Sequence, residues 1–442
     1  MKKLLIIPVA IILVAALIFG GCKPEAEVPE EILLGDAEPI TGAMAGVGTG
    51  GTFGLRAAID DINGLGGIYV EEYGKKLPVR LIVVDNESDN AKAATLCEDL
   101  ILRDDVNFLI GGNKQPPMNA SIAIVADRYK VPYVSSSGPL EPLLGLRESI
   151  SPAWKYTWLC GFAIGTPAPA GDFRAVPGYT IGDVWFGPLM QYADQTSRKV
   201  AVFASDEPDG VGWYAGIPAA LEGAGFDVCG EERNLGLVPL GTTDFTPLIR
   251  EWMDYGCDTL WGIHFAVDFG TMWRQCQMQG FQPKMVFAAK AALFYEDVTA
   301  WGGNLPNGVG IELNWRPTYK NSPGIGGTTG QSLVARWTEE TGLPLNQATG
   351  WGYASGQILF DAIERAGTLD RDTVLQAISE TDMQTVSHRV KFQQDIQFSR
   401  WPMAFTQWQK APSPLEWDCP VVYSELDFVP EEADFLFPIP YE

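Results

Sequence analysis

Gly46-Val47-Gly48-Thr49-Gly50-Gly51 satisfies G-x-G-x-x-G, the spacing with which a strand-to-helix turn lets backbone N–H groups approach a dinucleotide pyrophosphate. An exported NAD-dependent oxidoreductase is therefore one reading of the chain. That chemistry needs the glycines directly after the strand and an acid about twenty residues further on. Here about ten residues separate Gly35, which ends the preceding apolar run, from Gly46, and the acid ending the next run, Asp85, lies too far along. Gly352-Tyr353-Ala354-Ser355-Gly356 carries its serine off centre for a nucleophile elbow. His264 and His388 are the only histidines and have no obvious partners in sequence, so a histidine-based triad or a zinc site has little material. Apart from Cys22, the cysteines Cys97, Cys160, Cys229, Cys257, Cys276 and Cys419 form no C-x-x-C pair and no metal-type spacing. They are either disulfide partners in an oxidising compartment or small buried apolar residues. No cofactor, no metal and no enzymatic activity are expected.

The elements that must position any site begin with residues 32–68, which read strand, loop, helix: an apolar run to Gly35, a Pro/Thr/Gly loop, then Leu55, Ile59 and Ile62 at helical spacing. The same alternation follows, with strands at 77–85, 107–111 and 131–135 and helices at 90–103 and 120–129. A Gly/Pro/Trp passage over 136–177 interrupts it and is expected to hold a crossing between lobes. Strands at 199–204, 225–229, 258–263 and 284–288 then alternate with helices at 213–223, 245–255 and 269–279. Further helices are expected at 331–341, 350–366 and 372–381, and broken β structure at 390–422. Strand and helix in alternation predict an α/β fold of two open parallel-sheet lobes with helices on both faces. Ligands of such sheets lie beyond the carboxyl ends of the strands.

At 442 residues there is length for two lobes. The expected division is a signal at 1–21, a tether at 22–31, the first lobe at 32–155 and 313–388, and the second at 156–312 with its return and tail at 389–442. Lys2 and Lys3, an apolar run through Phe19, and Gly20-Gly21-Cys22 have the layout of a secretory signal cleaved for lipidation at Cys22. That resembles a lipoprotein signal and predicts an extracytoplasmic protein, in the periplasm or on the outer face of the membrane. The formal net charge is −24, a sign that excludes nucleic acid as a partner.

Several motifs resemble one known family. They are Pro39-Ile40-Thr41-Gly42 after Gly35; Asp60-Asp61-Ile62-Asn63 with Gly66-Gly67-Ile68; Val84-Asp85-Asn86; Val131-Pro132-Tyr133; Asp244-Phe245-Thr246; residues 361–367 (DAIERAG); and Val390-Lys391-Phe392 before Gln407-Trp408. Together they are similar to the leucine/isoleucine/valine-binding type of extracytoplasmic solute-binding protein, the type I periplasmic binding proteins that feed ABC importers. The resemblance implies two lobes joined by several hinge crossings, a small solute (amino acid or carboxylate) bound between them, and ABC permease subunits as partners. A ligand-sensing receptor subunit of the same fold is the alternative.

The resemblance also implies the site. The carboxylate of an amino-acid ligand falls on Gln115, where the family has serine, and on Ser137 with Gly138; Pro139 replaces a frequent threonine. Second-lobe contacts fall near Asp209 and on His264 or Phe265, and Trp213 is a possible stacking wall. The acid that would meet the ligand ammonium falls on Lys290, which reverses the charge and suits a carboxylate, with Asp206, Glu207 and Asp209 as the facing negative groups.

Overall fold

The computed structural model describes residues 28–320 and 323–441. The signal, Cys22 and most of the tether lie outside the described residues. Fourteen strands build the two main sheets among the described residues, the short Asp227–Val228 and β1 Ile32–Glu38, β2 Val79–Asp85, β3 Phe108–Ile110, β4 Tyr133–Pro139, β5 Thr157–Phe162, β6 Lys199–Ser205, β7 Leu237–Val238, β8 Thr259–Ile263, β9 Met285–Ala289, β10 Val309–Leu313, β11 Phe398–Arg400, β12 Ala404–Gln407 and β13 Val421–Tyr423. The first sheet runs β11-β5-β4-β3-β1-β2 and is parallel throughout. The second runs β7-β6-β8-β9-β10-β12-β13, parallel as far as β10 and antiparallel at its β12–β13 edge, with Asp227–Val228 paired to β6. Near-continuous apolar runs such as β6 (KVAVFAS) and β8 (TLWGI) suit strands covered on both faces.

The helices that shape the site are α1 Ala45–Gly64, α2 Pro116–Tyr129, α3 Leu140–Ser149, α4 Ile181–Gln191, α5 Pro208–Tyr214, α6 Ala266–Gln279 and α7 Ala348–Ala366. The glycine motif of the opening stretch lies inside α1. A Cβ on Gly54 would come within 2.1 Å of the Thr349 carbonyl oxygen, and one on Gly352 within 2.0 Å of that of Gly51. These glycines let the backbones of α1 and α7 meet, and within the motif a Cβ on Gly46 would strike the Phe294 ring at 2.6 Å and one on Gly48 the Pro39 carbonyl oxygen at 2.1 Å, so its glycines too serve packing. The loop before α1 is tied down by Asp85, which accepts from the Ile40 and Thr41 N–H groups and the Thr41 hydroxyl.

The strand assignments correct the expected boundaries. Thr157–Phe162 pairs with β4, so the chain leaves the first lobe after Phe162 and not at 155. Val309–Leu313 belongs to the second sheet and the return to the first lobe follows it; Phe398–Arg400 still pairs with β5, so the last crossing falls after Arg400 and not at 389. The physical reason is common to both: β5 and β11 are short, buried strands that complete the first sheet's edge, and their Trp, Cys and Arg residues lack the Val/Ile enrichment by which strands are read. The expected helix at 213–223 is two helices, α5 and Ile217–Gly223, broken at Gly216. All six cysteines from Cys97 onward are free and buried, several inside the apolar clusters, so the disulfide alternative gives way to the packing one.

Candidate functional site

The carboxyl ends of both parallel sheets face one narrow cavity of about 70 Å³ between the lobes. Loops on the first lobe contribute Met44 and Val47, Asn113 to Pro116, and Gly138 with Pro139. The second contributes Asp209, Trp213, Lys290 and Leu293, and the crossing segments supply Phe162, Glu312, Asn314, Gln347 and Trp351. A larger groove of about 900 Å³ runs along α1, lined by the exposed charges Arg56, Asp60, Glu339 and Glu340; it reaches Ile40 just past β1 and Asp85 at the end of β2, and takes Glu296 from the second lobe. The small cavity has the topology of a ligand crevice.

On the first-lobe wall Gln115 occupies the residue before α2, whose first position is Pro116; proline there is pre-set for the helix but brings no N–H. The Gln115 amide nitrogen lies 3.0 Å from the Met44 sulfur, a weak acceptor, so that donor is available to a better one. Pro139 likewise has no N–H. Ser137 is fully buried with no hydrogen bond to its hydroxyl, and it sits behind the cavity wall that Gly138 forms.

Beneath this wall lies a sealed ion cluster. Lys114 Nζ sits 2.8 Å from Asp36 Oδ1 and bonds Glu38, all three side chains having no exposure. Glu38 also accepts from the Asn113 N–H at 3.1 Å. Burial, and next Asp36, push the Glu38 carboxyl up to about 8 against the opposing pull of Lys114. The lysine itself stays charged, because the two carboxylates outweigh its burial. This cluster pins the 112–114 loop that presents Gln115.

The second-lobe wall is built on Lys290. It follows β9 with φ +64°, an uncommon conformation for a residue with a Cβ. That turn brings Nζ to 2.6 Å from Asp209 Oδ2 and 3.0 Å from Glu207 Oε1, with the Phe265 ring beneath it at 5.1 Å. Burial would lower the Lys290 pKa, but the two carboxylates raise it, and the ammonium is held charged and clasped. Glu207 also caps α5 by accepting from the Asp209 and Gly210 N–H groups. The expectation that Lys290 offers a free cation to a ligand carboxylate is therefore corrected: its charge is already neutralised from within its own lobe.

His264 does not reach the cavity. It is fully buried, stacked on Phe203 at 4.6 Å, and its Nδ1 accepts from the Phe265 N–H. Burial depresses its pKa, so its ring is held neutral. Phe265 acts one layer back, as the cushion under Lys290. Trp213, by contrast, lines the cavity, with Phe162 at 6.1 Å and Trp185 at 6.3 Å.

Several lining residues escaped the sequence reading, among them Phe162, Glu312, Asn314, Gln347 and Trp351. They lie at the end of β5, in β10, in the crossing after it and at the start of α7, segments read as connections or, for Trp351, as a helix without a site role. The one signal was Glu312, a lone acid within VGIEL. It is 4 % exposed, one carboxylate oxygen lacks a partner, and burial pushes its pKa up to about 8.

The model of the periplasmic binding proteins matches residues 31–412. This chain belongs to that family. Among periplasmic binding proteins and their kin it is similar to the Leu/Ile/Val-binding protein homolog 7 of Brucella suis, at 22 % identity over 90 % of this chain and 92 % of that protein. Solved structures share the fold. A leucine-binding protein of Thermotoga maritima superposes with a TM-score of 0.67 at 19 % identity, covering 89 % of this chain and 99 % of its own. A solute-binding protein of an ABC transporter from Rhodopseudomonas palustris, in complex with 3,4-dihydroxybenzoic acid, gives 0.68 at 17 %, covering 91 % and 99 %. As in other periplasmic binding proteins of type I, two α/β lobes joined by three crossings enclose the cavity.

Proposed function

We propose that this chain captures a small organic solute in the cavity between its lobes and delivers it to an ABC importer. The observation that carries the reading is the cavity's lining: loops from the carboxyl ends of both parallel sheets, and the crossings between them, supply its walls. The amino-acid and aromatic-acid ligands named for relatives support a small organic solute. Gln115 and Gly138 would contact it from the first lobe, Asp209 and Lys290 from the second, with Trp213 and Trp351 as apolar walls. Closure needs no chemistry: a ligand that touches both lobes favours the closed form by its difference in affinity for the two states. The family implies a location outside the cytoplasm, and Cys22 would supply a lipid anchor beside the permease.

The mature chain, purified without denaturation, is expected to release one or a few small organic molecules on unfolding, identifiable by mass spectrometry. The same molecules, added back, should raise its melting temperature. Trp213→Ala should abolish that rise. A shift that survives Trp213→Ala undiminished would move the site elsewhere.

A further inference from the structure

The cavity is unbalanced in charge and in hydrogen-bonding capacity. Asp209 is 3 % exposed; Oδ2 holds Lys290 while Oδ1 has no partner. Glu312 Oε2 and Asn314 Oδ1, on residues each 4 % exposed, are also unpartnered, and both residues line the same space. A buried acceptor without a donor costs free energy that a bound donor recovers, and a charged acceptor more so. Among the described residues the single cation lining the cavity is Lys290, which is held by Asp209 and Glu207, and no arginine lines it. Two positions that could have offered backbone N–H groups to an anion are Pro116 and Pro139. The side-chain donors that remain are neutral: the amides of Gln115, Asn113, Asn314 and Gln347, and the indole N–H groups of Trp213 and Trp351, neither indole being hydrogen-bonded.

Resting on the solute-cleft reading above, we infer that the ligand carries a protonated amine received by Asp209 and Glu312, and that a carboxylate on the ligand is dispensable. The indole and phenyl walls, Trp213, Trp351 and Phe162, fit an apolar or aromatic body attached to that amine, and they favour a cation near their faces. Lys290 then acts as a counter-ion that limits the cavity's negative charge while no ligand is bound. Asp209, Glu207 and the lysine they clasp carry one net negative charge, which leaves room for one ligand charge of positive sign.

The test compares ligands that share a body and differ in charge. L-leucine, isoamylamine and 4-methylpentanoate form one series; L-phenylalanine, 2-phenylethylamine and 3-phenylpropanoate a second; L-tryptophan, tryptamine and indole-3-propanoate a third. Calorimetric titration of the full mature chain should find the amine within tenfold of the amino acid in any series that binds, and the acid at least a hundredfold weaker than the amine. Glu312→Gln and Asp209→Asn should each weaken the amine tenfold or more, and Glu312→Gln should do so without lowering the melting temperature. An acid that binds as tightly as its amine, or amine binding untouched in both variants, overturns the inference and leaves the solute-cleft reading standing. If no member of any series binds, the solute-cleft reading falls, and the inference with it.

Discussion

Each lobe buries one lysine between two carboxylates at the carboxyl end of its sheet, and the two clusters differ in what surrounds them. In the first lobe Lys114 is clasped by Asp36 and Glu38 on the adjacent strand β1, with no exposure for any of the three. In the second, Lys290 reaches across from β9 to Glu207 and Asp209 past the end of β6, and it keeps 12 % exposure. The first is closed upon itself and holds a loop. The second turns one unpartnered oxygen of Asp209 toward the cavity. The same three charges thus serve as an internal clamp in one place and as an interactive surface in the other, and solvent access is what separates them.

Removing the central cation tests that difference most severely in the first lobe. Lys114→Met leaves two sealed carboxyls without their cation, and a loss of about 3–5 kcal/mol of stability is expected in chemical denaturation. Lys290→Met should cost less, about 1–3 kcal/mol, because its partners can gain water at the cavity mouth. It should also strengthen the binding of an amine in the cavity, while Lys114→Met should leave amine selectivity unchanged in whatever fraction folds. Equal losses of stability from both changes would erase the distinction drawn between the clusters.

The smallest expected effect is on pH dependence, and it sharpens the comparison by isolating the cavity from the clamp. Glu312 has a folded pKa raised to about 8, by burial above all, with Lys290 opposing and the Trp185 indole beside it. A raised carboxyl contributes stability that is fully present below its unfolded value near 4.3 and is lost as pH rises through about 8. Glu38 contributes in the same direction. Melting temperatures should therefore fall from pH 5 to pH 8, and Glu312→Gln should flatten that slope in part, leaving the share that belongs to Glu38. A slope unchanged in Glu312→Gln would mean that Glu312 is already ionised in the folded protein.

The sequence made the alternation of strand and helix legible because buried parallel strands are apolar runs bounded by loops, and the loop at 111–119 and the one at 288–294 could be placed at the cavity from that alone. Gln115, Gly138, Asp209, Trp213 and Lys290, to which the resemblance points, line that cavity. What stayed hidden depends on distances between elements remote in sequence. Lys290 reads as a cation until Glu207 and Asp209, some eighty residues earlier, are seen at its nitrogen. His264 sits at the right strand end, but its ring folds back on Phe203. β5 went unread and β11 was read only as part of a broken β stretch, because their membership of the first sheet rests on pairings of Thr157–Phe162 with β4 and of Phe398–Arg400 with Leu159–Gly161. The glycine run of α1 was legible as a packing device only once its partner helix, nearly three hundred residues away, was known.

Glu312 and Asn314 stand at the end of β10 and in the crossing that follows it, where the chain passes from one lobe to the other. On the proposed function, a ligand touching them would be held at the fulcrum of the closing motion and not only between its jaws. In a lever so arranged, a difference of a few tenths of an ångström in where the ligand seats would be magnified at the far rims of the lobes. The rim separation would thereby become a readout of ligand shape.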